Sequence, residues 1–341
     1  MTTHLEAELA EQPEALARLL DRQRAGAEQV AALIRRPDVN YILIASRGSS
    51  SNAARYAQYV LGRANRVPVA FATPSLYTLY EQPPRLDGAL VLGISQSGGS
   101  PDVKAVLEEA RRQGRPTVAI TNDGGSPLAR ASDLVLPLEA GTEQAVAATK
   151  TYINSLGAIA LIFAVATGAG LAELEAVPAQ LAAQLELSRE AAEQLDLLEG
   201  GTVVARGVNY GTSFEIALKI RELSGLLFEA YSAADLMHGP VAAVSPGWPV
   251  IAVAPSGPAH ESMVDAIEGV ALRGSRLLIV SDDDALLARA DVALPLVKGL
   301  PEWLSPLVAV VPGQLAAMRL ARLRGVDLDR PLGLAKVTLT R

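Results

Sequence analysis

Unbroken apolar runs alternate with amphipathic segments along this chain, and that alternation narrows its fold more than any other feature. "YILIA" (41–45) precedes a helix expected from about Ser51 to Asn65, and "VPVAFA" (67–72) precedes a short helix after Pro74. "ALVLGIS" (89–95) leads to a helix expected from Pro101 to Gln113, followed by "PTVAIT" (116–121) and "DLVLPL" (133–138). A strand that is apolar on both faces must be covered on both faces. Strands of that kind separated by helices predict a parallel sheet with helices on either side, an α/β fold.

The pattern then recurs. "TVVARG" (202–207) resembles "YILIASRG" (41–48), and "DALLARADVALPL" (284–296) resembles "SPLARASDLVLPL" (126–138). Gly48 and Gly207 are about 159 positions apart and Pro137 and Pro295 about 158. An offset kept over such a distance predicts two copies of one domain. The expected organisation is a helical segment (1–36), a first α/β domain (37–170), a helical linker (171–199), a second α/β domain (200–330) and a C-terminal tail (331–341).

Composition removes several function classes. The 341 residues include no cysteine, so disulfide frameworks, thiolate metal sites and thiol nucleophiles are out. The formal charge of −7 lacks the basic footprint of a nucleic-acid binder and suits a soluble cytoplasmic protein. The Glu-rich N-terminus has no basic n-region or apolar h-region of a signal peptide. Thr151 to Ala172 carries no charge and is long enough to span a bilayer. Its small residues, with Asn154 and Ser155 in the run, favour a buried helix instead, and no membrane association is expected.

Ligands of a parallel α/β sheet sit beyond the carboxyl ends of its strands. Two strand-to-helix loops fall there in the first copy: Arg47-Gly48-Ser49-Ser50-Ser51 and Ser95-Gln96-Ser97-Gly98-Gly99-Ser100. A helix N-terminus offers free N–H groups and a partial positive charge. The glycines admit a close backbone approach, Ser100 can cap ahead of Pro101, and the hydroxyls and the amide add donors. Such a cradle suits a phosphate. A capped turn built for local reasons would use the same residues, but two serine-rich loops at one sheet edge favour the phosphate. Neither loop has a P-loop lysine or GxGxxG spacing.

The second copy lacks hydroxyl clusters in "RGVNYG" and "APSGPA". It carries "FEIALKIRELSGLLFEAYSAADLMHGP" (214–240), where Glu215, Lys219 and Glu222 share one helix face. That face would be solvated and salt-bridged if it had no function. His238, one of three histidines, lies in Met-His-Gly-Pro, an expected turn. A phosphate cradle with carboxylate, amine and imidazole suits proton transfer on a small phosphorylated carbonyl compound. Asp282-Asp283-Asp284 is a weak metal candidate, and nothing in the sequence requires a metal.

At this point the motifs resemble a known family. "GSS", "SQSGGS", "GTEQAVAATK", "EIALKIRE", "HGP" and "GLAKV" occur in the order found in tandem sugar-isomerase (SIS) domain proteins. The chain is similar over nearly its whole length to the isomerase half of glucosamine-6-phosphate synthases. The resemblance implies two flavodoxin-like subdomains, usually in a homodimer. It implies that Ser50, Ser95, Gln96, Ser97 and Ser100, with Gly48 and Ser49, hold the substrate phosphate. Val146 and Ala148 would line the sugar, and Glu222 would move a proton between C1 and C2 with Lys219 beside it. His238 would open the sugar ring from the neighbouring subunit. Lys336, in a tail over the active site, would form a Schiff base or close over the sugar.

Departures from the synthases carry information too. The 341 residues show neither a glutaminase domain nor a cysteine, so use of ammonia from glutamine is not expected. Met237 stands where the synthases have lysine, "SGGS" replaces "SGET", and "AATK" replaces "ASTK". These features resemble the SIS-type glucosamine-6-phosphate deaminases. The expected reaction converts glucosamine 6-phosphate and water to fructose 6-phosphate and ammonia, with no metal or redox cofactor. A fructosamine-6-phosphate deglycase, an aldose–ketose phosphosugar isomerase and a non-catalytic phosphosugar sensor are the alternatives. The sensor would not need Glu222 or His238.

Overall fold

The structure, a computed structural model, describes residues 2–331, 333 and 336. The chain opens with α1 (His4–Ala10), α2 (Gln12–Arg22) and α3 (Arg24–Ile34). The first α/β copy follows: β1 (Tyr41–Ser46), α4 (Gly48–Asn65), β2 (Val69–Phe71), α5 (Ser75–Thr78), β3 (Ala89–Ile94), α6 (Pro101–Arg112), β4 (Thr117–Thr121), α7 (Pro127–Arg130) and β5 (Leu134–Pro137). Helices α8 (Lys150–Thr167) and α9 (Leu171–Ala192) come next. The second copy comprises β6 (Gly200–Ala205), α10 (Tyr210–Ser224), β7 (Leu227–Ser232), α11 (Ala233–Met237), β8 (Pro249–Val253), α12 (His260–Ala271), β9 (Arg276–Ser281), α13 (Asp284–Leu287), β10 (Val292–Pro295) and α14 (Pro306–Leu323).

Two compact units result. The N-terminal unit holds residues 11–143, 148–176 and Lys336; the C-terminal unit holds residues 2–10, 144–147, 177–331 and Gly333. The N-terminal helical segment is therefore divided, with α1 in one unit and α2 and α3 in the other.

Each unit has one five-stranded sheet, and every strand pair is parallel. The orders are β2-β1-β3-β4-β5 and, from the matching edge, β7-β6-β8-β9-β10. Both follow one winding rule, so the sequence repeat is a repeat of topology. The order reverses between β1 and β3 and between β6 and β8. Successive connections leave these switch points toward opposite faces and open a crevice at the carboxyl ends.

Continuous burial explains the parallel pairing: β3 and β4 are buried at every position. On one face of the N-terminal sheet, Val91 and Ala119 pack with Val103, Val106 and Leu107 of α6. In the N-terminal unit α8 packs against α2, α3 and α4. It is the one helix among the described residues long and apolar enough to cross a membrane, and 83% of it is buried. Within it the Asn154 side-chain N–H groups donate to the Ala15 and Leu138 carbonyls at 2.9 and 2.7 Å. Gly157 lets α2 approach, since a Cβ there would stand 2.4 Å from Leu16.

One element differs from expectation and another had none. Helix α4 begins at Gly48, not near Ser51, which puts Gly48, Ser49 and Ser50 in its first turn. Strand β7, inside the 214–240 stretch, carries no expectation from the sequence. As an edge strand it buries Phe228 while Leu227 and Glu229 face outward, so it lacks the unbroken apolar run of its neighbours.

Candidate active site

The switch point of the N-terminal sheet places the two serine-rich loops side by side, because β1 and β3 are adjacent strands. Arg47 is the N-cap residue of α4 and Ser100 that of α6, and neither side chain makes a capping hydrogen bond. Ser100 thus occupies the expected capping position without spending its hydroxyl there. The second loop is ordered from within. Ser95 Oγ accepts the Gly98 N–H at 3.2 Å and Ser97 Oγ accepts the Gly99 N–H at 3.2 Å. The Leu128 N–H donates to the Gly98 carbonyl at 3.0 Å. Gly98 has φ +59°, and a Cβ there would stand 2.1 Å from Ser126 Oγ. The position therefore demands glycine on two grounds.

Ser49, Ser50, Gln96 and Ser100 are half-buried, and among the described residues their side-chain polar groups have no protein partner. Three hydroxyls and an amide thus stand by two helix N-termini, the donor set an anion of phosphate size requires. The loops are also joined to each other. Arg47 Nε and a terminal guanidinium nitrogen both lie 2.7 Å from Asp102 Oδ2, and Asp102 is buried in the first turn of α6.

The equivalent place in the C-terminal unit is filled by the chain itself. Glu302, just before α14, accepts the Ala259 N–H at 3.1 Å. A Cβ on Gly257 would stand 2.6 Å from the Glu302 side chain, and one on Gly207 would be 3.8 Å from its Oε1. An internal carboxylate thus lies where the first copy leaves a cradle open, so the anion donors are confined to one copy.

The C-terminal unit supplies ionisable groups instead. Lys219 of α10 is buried, with Nζ 3.4 Å from Glu215 Oε1, and it also pairs with Glu222. Glu215 is fully buried, while Glu222 is 26% exposed. This helix face is not a solvated salt-bridge ladder. Helix α10 packs against α14, where a Cβ on Gly313 would stand 2.3 Å from Ile216. Burying a lysine is costly without a partner, and here it is held by two carboxylates. Glu222 also lines an open cavity of about 360 Å³ with Arg221, Ser224, Gly225, Arg324 and Val326. His238 follows α11 and is exposed on this unit.

The remaining candidates divide between the units. Val146 belongs to the C-terminal unit with Lys219, Glu222 and His238, whereas Ala148 belongs to the N-terminal unit with the serine loops. Lys336 also lies in the N-terminal unit, where its Nζ is 2.8 Å from buried Glu143. The acidic run is structural. Asp282 accepts the Ser256 N–H, Asp283 caps α13 through the Ala285 and Leu286 N–H groups, and Asp284 pairs with Lys298. Among the described residues no group of three His, Asp or Glu side chains could hold a metal ion.

Sequence reasoning missed Asp102, Glu143 and Glu302. Asp102 lies two residues beyond the second loop and shows as an acid in the first turn of a helix. Glu143 sits inside the "GTEQAVAATK" motif. Glu302 left no signal, because its partner Ala259 is 43 residues away.

The sequence profile of the SIS domain matches residues 37–165 and 202–324. The glutamine–fructose-6-phosphate aminotransferase (isomerizing) of Pyrococcus horikoshii is 35% identical over 340 residues, covering 96% of this chain and 56% of that protein. The chain thus spans little more than half the length of that relative, and its similarity lies with the isomerase half. A candidate phosphosugar isomerase from Silicibacter pomeroyi superposes with a TM-score of 0.85 at 34% identity, covering 96% of this chain and 100% of the other. Glucosamine-6-phosphate deaminase from Thermotoga maritima shares the fold, with a TM-score of 0.83 at 22% identity over 99% of this chain and 100% of the other. With the domain matched twice, each time over one five-stranded parallel sheet, this chain belongs to the SIS domain family.

Proposed function

We propose that this protein is a glucosamine-6-phosphate deaminase, an aldose–ketose isomerising enzyme that releases ammonia from C2. The observation that carries the reading is the open cradle of the first copy: half-buried Ser49, Ser50, Gln96 and Ser100 beside two helix N-termini, with no side-chain partner among the described residues. Ser95 and Ser97 shape that loop. Similarity to phosphosugar-converting proteins supports an enzyme acting on phosphosugars. The choice of deaminase over synthase rests on "SGGS", "AATK" and Met237.

In this reading the phosphate anchors the sugar, each charge-assisted hydrogen bond contributing about 1.5–3 kcal/mol. His238, supplied by the second subunit of a homodimer, moves the ring proton and releases the C1 aldehyde. Glu222 takes the proton from C2, and the electron pair forms the C1=C2 bond of an enolamine while the C1 carbonyl oxygen takes up a proton, a gain balanced when the nitrogen gives up a proton as the imine forms. Glu222 returns that proton to C1, leaving an imine at C2. Water adds to the imine carbon and ammonia departs, giving fructose 6-phosphate. Lys219 holds the Glu222 carboxylate in place, and Val146 and Ala148 line the sugar. Lys336 assists at C2, by closing over the sugar or by displacing ammonia as a Schiff base before water arrives. The reaction belongs in the cytoplasm, where sugar phosphates are retained.

The test is direct. Purified protein is incubated with glucosamine 6-phosphate, and ammonia and fructose 6-phosphate are measured. Equal amounts of both support the reading. Turnover of fructose 6-phosphate to an aldose without amine release favours the plain isomerase, and turnover of fructoselysine 6-phosphate alone favours the deglycase. Binding of phosphosugars with no turnover of any favours the sensor. For the shared site, mixed dimers of inactive His238→Ala and Glu222→Gln subunits should regain activity; mixed dimers that stay inactive overturn the crossing of His238.

A further inference from the structure

We propose that Glu143 is a positioning residue that holds the Lys336 amine for the sugar, an inference that rests on the reaction proposed above. The Glu143 side chain is fully buried in the middle of the connection between β5 and α8. Its Oε1 accepts the N–H groups of Thr149 and Thr151 at 3.0 and 3.1 Å. Its Oε2 accepts the Thr151 hydroxyl at 2.7 Å and the Lys336 ammonium at 2.8 Å. Thr149, the N-cap residue of α8, makes no side-chain cap bond, so Glu143 satisfies the helix start in its place.

Capping α8 needs only an acceptor, and the serine, threonine or asparagine common at such sites would provide one. The carboxylate adds a partner for a cation that arrives from 193 residues away. The bond from Thr149 to Glu143 also closes the two ends of the 144–148 segment, which carries Val146 and Ala148. One buried side chain therefore ties together the sugar-lining segment, the start of α8 and the amine of the tail. An amine on a long flexible stem reaches one place only if something anchors it. A misplacement of about 1 Å at a reacting centre costs on the order of 100-fold in rate.

Glu143→Gln tests this, because glutamine keeps an acceptor for Thr149 and Thr151 and loses the charge that holds Lys336. The variant and Lys336→Met are compared with wild type in the full-length enzyme, with glucosamine 6-phosphate as substrate. The expected result is a fall in kcat of about 10- to 100-fold for each, with KM within about twofold of wild type. The double variant should fall no further than Lys336→Met alone, since both changes remove one interaction. Trypsin cleavage after Lys336, read by mass, should be faster in Glu143→Gln than in wild type. A wild-type kcat in Glu143→Gln overturns the proposal, as do independent, multiplicative losses in the double variant. If Glu143→Gln shows no cooperative melting, Lys336→Met leaves α8 untouched and decides alone: its kcat must fall at constant KM. If wild type turns over no phosphosugar, the reaction proposed above fails, and unchanged trypsin cleavage after Lys336 in Glu143→Gln then overturns the tether separately.

Discussion

Arg47 and Asp102 lock the two serine-rich loops together. The guanidinium ahead of α4 places two nitrogens 2.7 Å from one oxygen of the buried Asp102 carboxylate in the first turn of α6. The other carboxylate oxygen accepts the Val103 N–H at 2.9 Å. Asp102 is 1% exposed and Arg47 is 49% exposed, so one partner is desolvated while the other can still be hydrated. Arg47→Ala should cost about 1–3 kcal/mol, below the range for a fully buried pair, because water can partly replace the arginine. The same change should weaken inorganic phosphate binding, since the loops lose their mutual register. Thermal melting and calorimetric titration check the two effects.

Gly98→Ala should be more damaging at the site than its size suggests. The backbone has φ +59°, and the added methyl would meet Ser126 Oγ at 2.1 Å and Thr121 Oγ1 at 3.0 Å. Either the loop or the capped turn at Ser126 must move. We expect a loss of about 1–3 kcal/mol in stability and at least about tenfold weaker phosphate binding. Denaturant titration and phosphate titration measure these, and unchanged phosphate affinity would remove the second loop from the cradle.

Glu222→Gln should lower kcat by about 10²- to 10⁴-fold, the range for loss of one positioned acid or base, while leaving phosphosugar binding intact. Lys219→Met should act on stability as well. It leaves Glu215, which is fully buried, facing an apolar chain, at a cost of about 3–5 kcal/mol. The two variants are told apart by melting: Glu222→Gln should melt near wild type and Lys219→Met well below it.

Asp283 gives a pH-dependent prediction. The N–H groups of Ala285 and then Leu286, with the His260 ring after them, hold its carboxyl below its ordinary value of 3.8. A depressed folded-state value means that the stabilisation is fully present above the ordinary carboxylate range. It is lost as pH falls from there through the lower folded value. Asp283→Asn keeps the cap and removes the charge. The variant should melt below wild type near about pH 7, and the gap should close as pH drops below about 4. A gap constant with pH would assign the stabilisation to the cap geometry alone.

The parallel sheets were legible because each central strand is buried on both faces, and that burial writes an unbroken apolar run into the chain. Edge strand β7 broke the rule by exposing Leu227 and Glu229. The serine loops were legible for a related reason: their chemistry is local, within six consecutive residues. The capping role expected of Ser100 did not appear, because its hydroxyl makes no cap bond and Asp102 brings the acidic group to that turn.

What the amino-acid order determined by itself is the repeat, the strand-and-helix alternation and the candidate chemistry on each copy. These depend on the near neighbours of each residue, and near neighbours are what a sequence displays. Only the tertiary structure decided which loops stand together, that Glu302 fills the second copy's cradle, and that Glu143 and Lys336 meet across 193 residues. Pairings of that kind are set by strand order and by chain ends returning to a packed core. The free energy that selects them belongs to contacts between distant segments, and no local pattern carries it.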